Sequence, residues 1–193
     1  TYSDFGDAMS YNVSLDTTGP IDKDKHWLYR LVVVAQDQEP FRLGDYEKNY
    51  YLYPSLTYVF NKDTKFIVRT EFIREKRRAD DGLGAPFNNL AYLAPYNIVY
   101  QELSDVDRDT GEALSTEFKT QLGRWSIHLS TRSLWHTDSR YALESNTLLP
   151  VSVLPVQNSS IRRRYRNGGN NLRINAFDLN GYATYGPDSF KHT

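Results

Sequence analysis

Apolar and polar residues alternate along most of this chain, in runs of about ten residues separated by turn-like gaps. In Met9 to Thr18 the odd positions are Tyr11, Val13, Leu15 and Thr17, and the even ones are Ser10, Asn12, Ser14 and Asp16. A period of two is that of a β-strand with one apolar and one wet face. Thr64 to Glu75 repeats it, with Phe66, Val68, Thr70 and Phe72 against Lys65, Arg69, Glu71 and Glu75; Ile67 and Ile73 are the exceptions. In Trp125 to Asp138 the apolar set runs Trp125, Ile127, Leu129, Thr131, Ser133 and Trp135, and the other face holds Ser126, His128, Ser130 and Arg132.

Four further segments read as strands: His26 to Asp37, Asn49 to Phe60, Ser115 to Leu122 and a long one from Ser160 to Tyr185. Trp27 to Ala35 is apolar on both faces, so its pattern does not orient it. Pro54 is awkward, because proline cannot donate to a ladder. The last segment changes phase: Leu172, Ile174 and Ala176 are even, whereas Phe177, Leu179 and Ala183 are odd. A bulge near Ala176 is the expected reason.

The gaps alternate in length. Gly19 to Lys25, Asn61 to Asp63, Gly123-Arg124 and Gly186 to Ser189 are short, whereas Gln38 to Lys48, Lys76 to Leu114 and Ser139 to Ser159 are longer. Tight turns on one edge and long loops on the other are the signature of a bacterial outer-membrane barrel. The expected fold is therefore all-β: an antiparallel, up-and-down transmembrane β-barrel segment of about seven to eight strands. The short turns would be periplasmic and the long loops extracellular.

Composition fits. Only 39% of the 193 residues are hydrophobic, yet 14% are aromatic, with 15 Tyr. A lipid-facing barrel needs only alternate apolar residues and collects Tyr and Trp at both membrane interfaces. A disordered chain would be depleted in aromatics. The net charge of −1 gives no global field for nucleic acid, and the absence of Cys excludes a disulfide framework or thiolate metal site. The longest uncharged run, Ser145 to Ile161, holds two prolines and is no membrane helix. The first residues have no charged region leading into an apolar one, so they do not read as a signal peptide. No Gly-rich phosphate loop follows a strand, no G-x-S-x-G elbow occurs, and the four His are scattered. No catalytic residues and no cofactor are expected.

Several stretches carry a family resemblance. They are VSLDTTGPI (Val13 to Ile21), LYRLVVVAQDQEPFR (Leu28 to Arg42), YYLYPSLTYVFNKDTKF (Tyr50 to Phe66), REKRRADDGL (Arg74 to Leu83), the turn at Gly123 to Trp125, and RRRYRN with FDLNGYATYGPDSFKHT (within Arg162 to Thr193). These resemble the barrel of TonB-dependent siderophore receptors, in which a plug domain precedes a barrel of about 22 strands. The strand Pro54 then reads as a family feature. The resemblance implies a partial barrel domain over residues 1–193 without its plug, carrying roughly the first third of the strands. It implies outer-membrane import of a ferric siderophore in a Gram-negative bacterium. TonB would act through the plug, and membrane lipid and lipopolysaccharide would surround the wall. Two alternatives stay open: a complete small eight-stranded barrel with a structural or adhesive role, and a soluble lipid-binding barrel with Lys65, Arg69, Glu71 and Arg132 turned outward.

Four groups are candidate sites. The run Arg162, Arg163, Arg164, Tyr165 and Arg166 could draw in an anionic chelate or hold lipopolysaccharide phosphates. Tyr92, Tyr96 and Tyr100, on the long loop, suit a planar ligand at low entropic cost. Trp135, at a strand end, is a further ligand-binding candidate, in a setting that also suits a membrane interface. Asp105, Asp107 and Asp109 have the look of a calcium loop, although an EF-hand needs Gly and Glu where Thr110 and Thr116 stand. No other metal site is expected.

Overall fold

The computed structural model describes residues 10–40, 42, 44–80, 82, 95, 101–145 and 163–186. Seven strands follow in chain order: β1 Ser10–Pro20, β2 Trp27–Gln38, β3 Glu47–Asn61, β4 Thr64–Arg77, β5 Val106–Leu122, β6 Trp125–Ser145 and β7 Arg163–Ala183. Each pairs antiparallel with its sequence neighbour, giving one seven-stranded sheet in the order β1 to β7. Among the described residues β1 and β7 are its two edges and do not pair with each other. The closure that a complete small barrel requires is therefore not seen there.

Local chemistry sets the short turns. In β3–β4 the loop is Lys62-Asp63, and the Asn61 side chain accepts the Asp63 amide at 2.9 Å, the Asx geometry that mimics a backbone turn. In β5–β6 the loop is Gly123-Arg124, with Gly123 at φ 62°, where glycine carries no Cβ penalty. The β1–β2 turn places Lys25 at φ 58°. There the Asp22 carboxylate accepts the amides of His26 (3.1 Å) and Trp27 (2.8 Å). His26 also ties this turn to β3, its carbonyl accepting the Val59 amide at 2.8 Å.

The register keeps one parity per face across all seven strands. Ser55 faces Arg69, Arg69 faces Ser115, Ser115 faces Arg132 and Arg132 faces Ala176; this is the polar face. On the other, Leu31 faces Pro54, Phe66 faces Phe118, Phe118 faces Leu129 and Leu129 faces Leu179. Side chains crowd on the polar side, where Ile67 is 8% exposed, and spread on the apolar side, where Phe72 is 38% exposed. A wall curving toward its polar face does this.

Pro54 sits in its strand as expected, and two other expectations change. Pro54 lies in a central strand rather than at an edge: it keeps its partner Leu31 on β2, while the β3–β4 ladder is interrupted at Tyr53-Pro54. The missing N–H thus falls where no ladder bond is needed. The bulge expected near Ala176 is absent, because β6–β7 pairing runs unbroken from Trp125–Ala183 to Ser145–Arg163. Leu172 and Ile174 instead lie on the polar face opposite His136 and Leu134. A bulge occurs between Val59 and Asn61. Finally, β5 begins at Val106 and β6 runs on to Ser145, so segments expected in loops are strand.

Candidate functional site

Both faces carry organised chemistry. Trp125 and Trp135 bracket the apolar face, ten residues apart on β6. At about 3.3 Å per residue and a tilt of about 40°, that is about 25 Å along a barrel axis, the height of an outer-membrane apolar band. At the short-turn edge Trp27 packs on Tyr58 (4.6 Å between ring centroids), Tyr58 meets Phe60 edge-on (4.7 Å) and Trp125 meets Tyr185 (6.4 Å). At the opposite edge Arg173 lies 5.6 Å over the Trp135 ring.

The polar face is laced by ion pairs that span strands. Arg132 on β6 donates to both oxygens of Glu71 on β4, at 2.6 and 2.9 Å, and to the Ser115 hydroxyl between them at 3.1 Å. Arg69 pairs with Glu117, which also holds Lys119 at 2.7 Å. Arg69, Glu71, Ser115, Glu117, Ser130 and Arg132 line a shallow depression of about 270 Å³. Tyr51 and Tyr53 stand parallel beside it, 6.3 Å apart, and the Tyr51 hydroxyl donates to Glu75 at 2.7 Å.

Toward the long-loop edge the polar face turns to arginine–carboxylate clusters. Asp107 meets Arg140 at 3.1 Å, Asp109 meets Arg77 at 3.4 Å, and Glu144 is held by Arg140 (3.0 Å), Arg164 (2.7 Å) and Arg166 (3.3 Å). Glu144 lies beyond Trp135 by nine residues. Its carboxyl is held below the usual range chiefly by the hydrogen bond from Arg164, against burial, which opposes it, and with help from Arg166.

The sequence candidates fare differently. Tyr92, Tyr96, Tyr100 and Arg162 lie outside the described residues. The rest of the basic run is split by the strand period: Arg164 and Arg166 turn to Glu144 on the polar face, while Arg163 pairs with Glu102 and Tyr165 packs edge-on against Tyr141 at 5.3 Å on the other. It is not one patch. Asp107 and Asp109 are in β5 rather than a loop, and each forms an ion pair with an arginine. Asp105, 1% exposed, accepts the amides of Glu102 (2.9 Å) and Leu143 (3.0 Å). Among the described residues no group of three or more His, Asp or Glu is gathered to hold a metal ion. Sequence reasoning missed Glu117 and Glu144 as hubs. Their alternation with Ser115 and Lys119, and with Arg140 and Ala142, is the signal that could have shown them.

The chain is thus an antiparallel wall with an aromatic-bounded apolar face and a charged face. No family model matches the sequence. The chain is 30% identical over 161 residues to the metal-pseudopaline receptor CntO of Pseudomonas aeruginosa, in two strains, covering 81% of this chain and 21% of that protein. It therefore spans about a fifth of the length of the curated relatives it matches. The fold is similar to that of FpvA of P. aeruginosa bound to a heterologous pyoverdine (TM-score 0.80, 12% identity, 94% of this chain and 24% of that one). It is also similar to the ferric-catecholate import receptor Fiu of E. coli in its open form (TM-score 0.73, 16% identity, 96% and 31%). Sequence and fold thus bear out the resemblance to TonB-dependent receptors, and the seven strands match a segment of their barrels.

Proposed function

We propose that the protein carrying this sheet is an outer-membrane receptor of a Gram-negative bacterium that imports a metal chelate, in the first instance a ferric siderophore. The reading rests on the unbroken register that keeps Phe66, Phe118, Leu129 and Leu179 on one face and Arg69, Ser115 and Arg132 on the other. Lipid would solvate the first face and the aqueous lumen the second, as spanning strands require. The curated relative is named for a metal–pseudopaline complex, and the structural neighbour Fiu for a ferric catecholate. These names support a metal-chelate cargo.

In this reading the chain performs no bond-making chemistry and needs no resident cofactor. Energy would come from TonB through a plug domain seated against the charged lumen wall. The test is metal uptake by a deletion strain and its complemented parent, fed iron, nickel or zinc with purified chelates. Chelate-dependent uptake that vanishes without the gene and without TonB is expected. Uptake unchanged in both deletions, for every chelate, overturns the reading.

A further inference from the structure

Above the apolar band, the same face carries a cationic arrangement that the described residues do not neutralise. Lys48 on β3 stands opposite Lys76 on β4, and Lys76 opposite Arg108 on β5. Like charges directly across a ladder repel, and three in one row do so twice. Only Lys48 has a carboxylate in its row, Asp37 at 2.8 Å. Lys76 rests 5.6 Å over the Tyr46 ring. Arg108 is exposed and, among the described residues, has no carboxylate within ion-pair distance.

Two more cations lie lower on this face, Arg74 one outward position below Lys76 and Arg173 at the girdle opposite Trp135. Arg74 pairs with Glu112 at 2.6 Å, and Arg173 covers Trp135. Among the described residues five cations thus face two carboxylates, an excess of three positive charges on a chain whose net charge is −1. The height is informative. Glu112 stands opposite Trp135, and Arg108 is four residues further along β5. That places the row about 10 Å above the girdle, where long side chains bend down to the headgroup layer. Below it Tyr50, Thr110 and the Arg74–Glu112 pair lead down to Leu52, Phe72 and Leu114 of the apolar band.

We propose that Lys48, Lys76 and Arg108 hold the phosphates of an acylated, phosphorylated glycolipid of the outer leaflet, whose acyl chains lie along Leu52, Phe72 and Leu114. The cationic row stands two or three outward positions above the apolar band on each strand, so the surface fits an amphiphile with an anionic head and not a free anion. A phosphate between opposed cations turns their repulsion into charge-assisted hydrogen bonds. The inference rests on the outer-membrane reading above and places the lipid contact on β3 to β5, away from the basic run of β7.

The test uses the whole receptor in a neutral detergent, with bisphosphorylated lipid A, the same glycolipid stripped of both phosphates, and inorganic phosphate as probes. Lipid A is expected to bind, more weakly as salt rises, and the Lys48→Gln/Lys76→Gln/Arg108→Gln receptor about a hundredfold more weakly. The single Arg108→Gln change, expected to weaken binding about fivefold, serves if the triple variant does not fold. Equal binding of the stripped glycolipid, unchanged affinity in the variants, or displacement by equimolar inorganic phosphate overturns the lipid site. Membrane fractionation of the wild type reads separately. A receptor found in the outer membrane with unchanged affinity in the variants refutes this site alone, whereas its absence from that membrane refutes the location.

Discussion

Arg132 and Glu71 are joined across a strand that belongs to neither: the guanidinium on β6 passes over Ser115 of β5 to grip both carboxylate oxygens on β4, at 2.6 and 2.9 Å. A bidentate pair fixes orientation as well as distance, so it sets the relative tilt of three strands. Both side chains keep solvent access, at 45% and 28%, which holds its strength near that of a surface pair. A double-mutant cycle with Arg132→Met and Glu71→Gln should give a coupling of about 0.5–1 kcal/mol, read from urea unfolding in bilayers. A coupling indistinguishable from zero would mean that the pair does not brace the wall.

The two faces predict opposite responses at adjacent positions. Leu129 shares its face with Phe118 and Leu179, whereas His128 stands opposite Lys119 and Asn180. Leu129→Arg should cost about 2–4 kcal/mol if it sits near mid-bilayer, and His128→Arg well under half of that. Folding yield into lipid vesicles across a denaturant series measures both. Equal penalties would reverse or abolish the assignment of faces.

What the sequence revealed followed the apolar band. Where one face is apolar, as at Phe66, Val68 and Phe72, alternation exposes strand and face together. Beyond the girdle neither face is apolar, and the alternation disappears. Residues Val106 to Leu114 of β5 carry Asp107, Arg108, Asp109 and Glu112 there, so they read as loop and even as a calcium site, although the ladder continues to Asp107 opposite Arg77. In β7 the swap of apolar parity at Ala176 imitates a bulge. In fact Leu172 and Ile174 cover His136 and Leu134 on the polar face. The ion-pair hubs were hidden for another reason: Glu71 and Arg132 are 61 residues apart, and only the strand register brings them together.

The β1–β2 turn should loosen in acid. The Asp22 carboxyl is held below its ordinary range, chiefly by the Trp27 amide, against burial and with help from the His26 amide. A depressed folded value means the turn's stabilisation is complete above the unfolded pKa, about 4, and is lost as pH falls through the folded one. Amide exchange at His26 and Trp27, corrected for its intrinsic pH dependence, should therefore accelerate as pH falls below about 4. In Asp22→Asn that acceleration should vanish. Identical pH profiles in the two proteins would refute the cap.

Two adjacent glycines on β7 should differ sharply. A Cβ on Gly168 meets nothing within 4 Å, whereas one on Gly169 runs into the Asp138 carbonyl oxygen and the Ser139 backbone. Gly168→Ala should change stability by no more than about 0.5 kcal/mol, and Gly169→Ala should cost about 1–3 kcal/mol, because backbone must shift. Thermal unfolding of the two variants decides it. Matching midpoints would show that β6 and β7 can separate freely at that height.

The basic run of β7 makes the last prediction because its residues face apart. Arg164 and Arg166 reach Glu144 on the polar face, and Arg163 pairs with Glu102 on the other. If an anionic chelate enters along the lumen, only the first two contribute to its attraction. Arg164→Gln with Arg166→Gln should slow chelate association by about threefold to tenfold at low salt, with the difference shrinking as ionic strength rises. Arg163→Gln should leave it unchanged. Stopped-flow quenching of tryptophan fluorescence by the metal chelate reads the rate directly. Equal effects from all three arginines would mean that the run acts as one rim charge, and that the parity of β7 does not decide which of them the ligand meets.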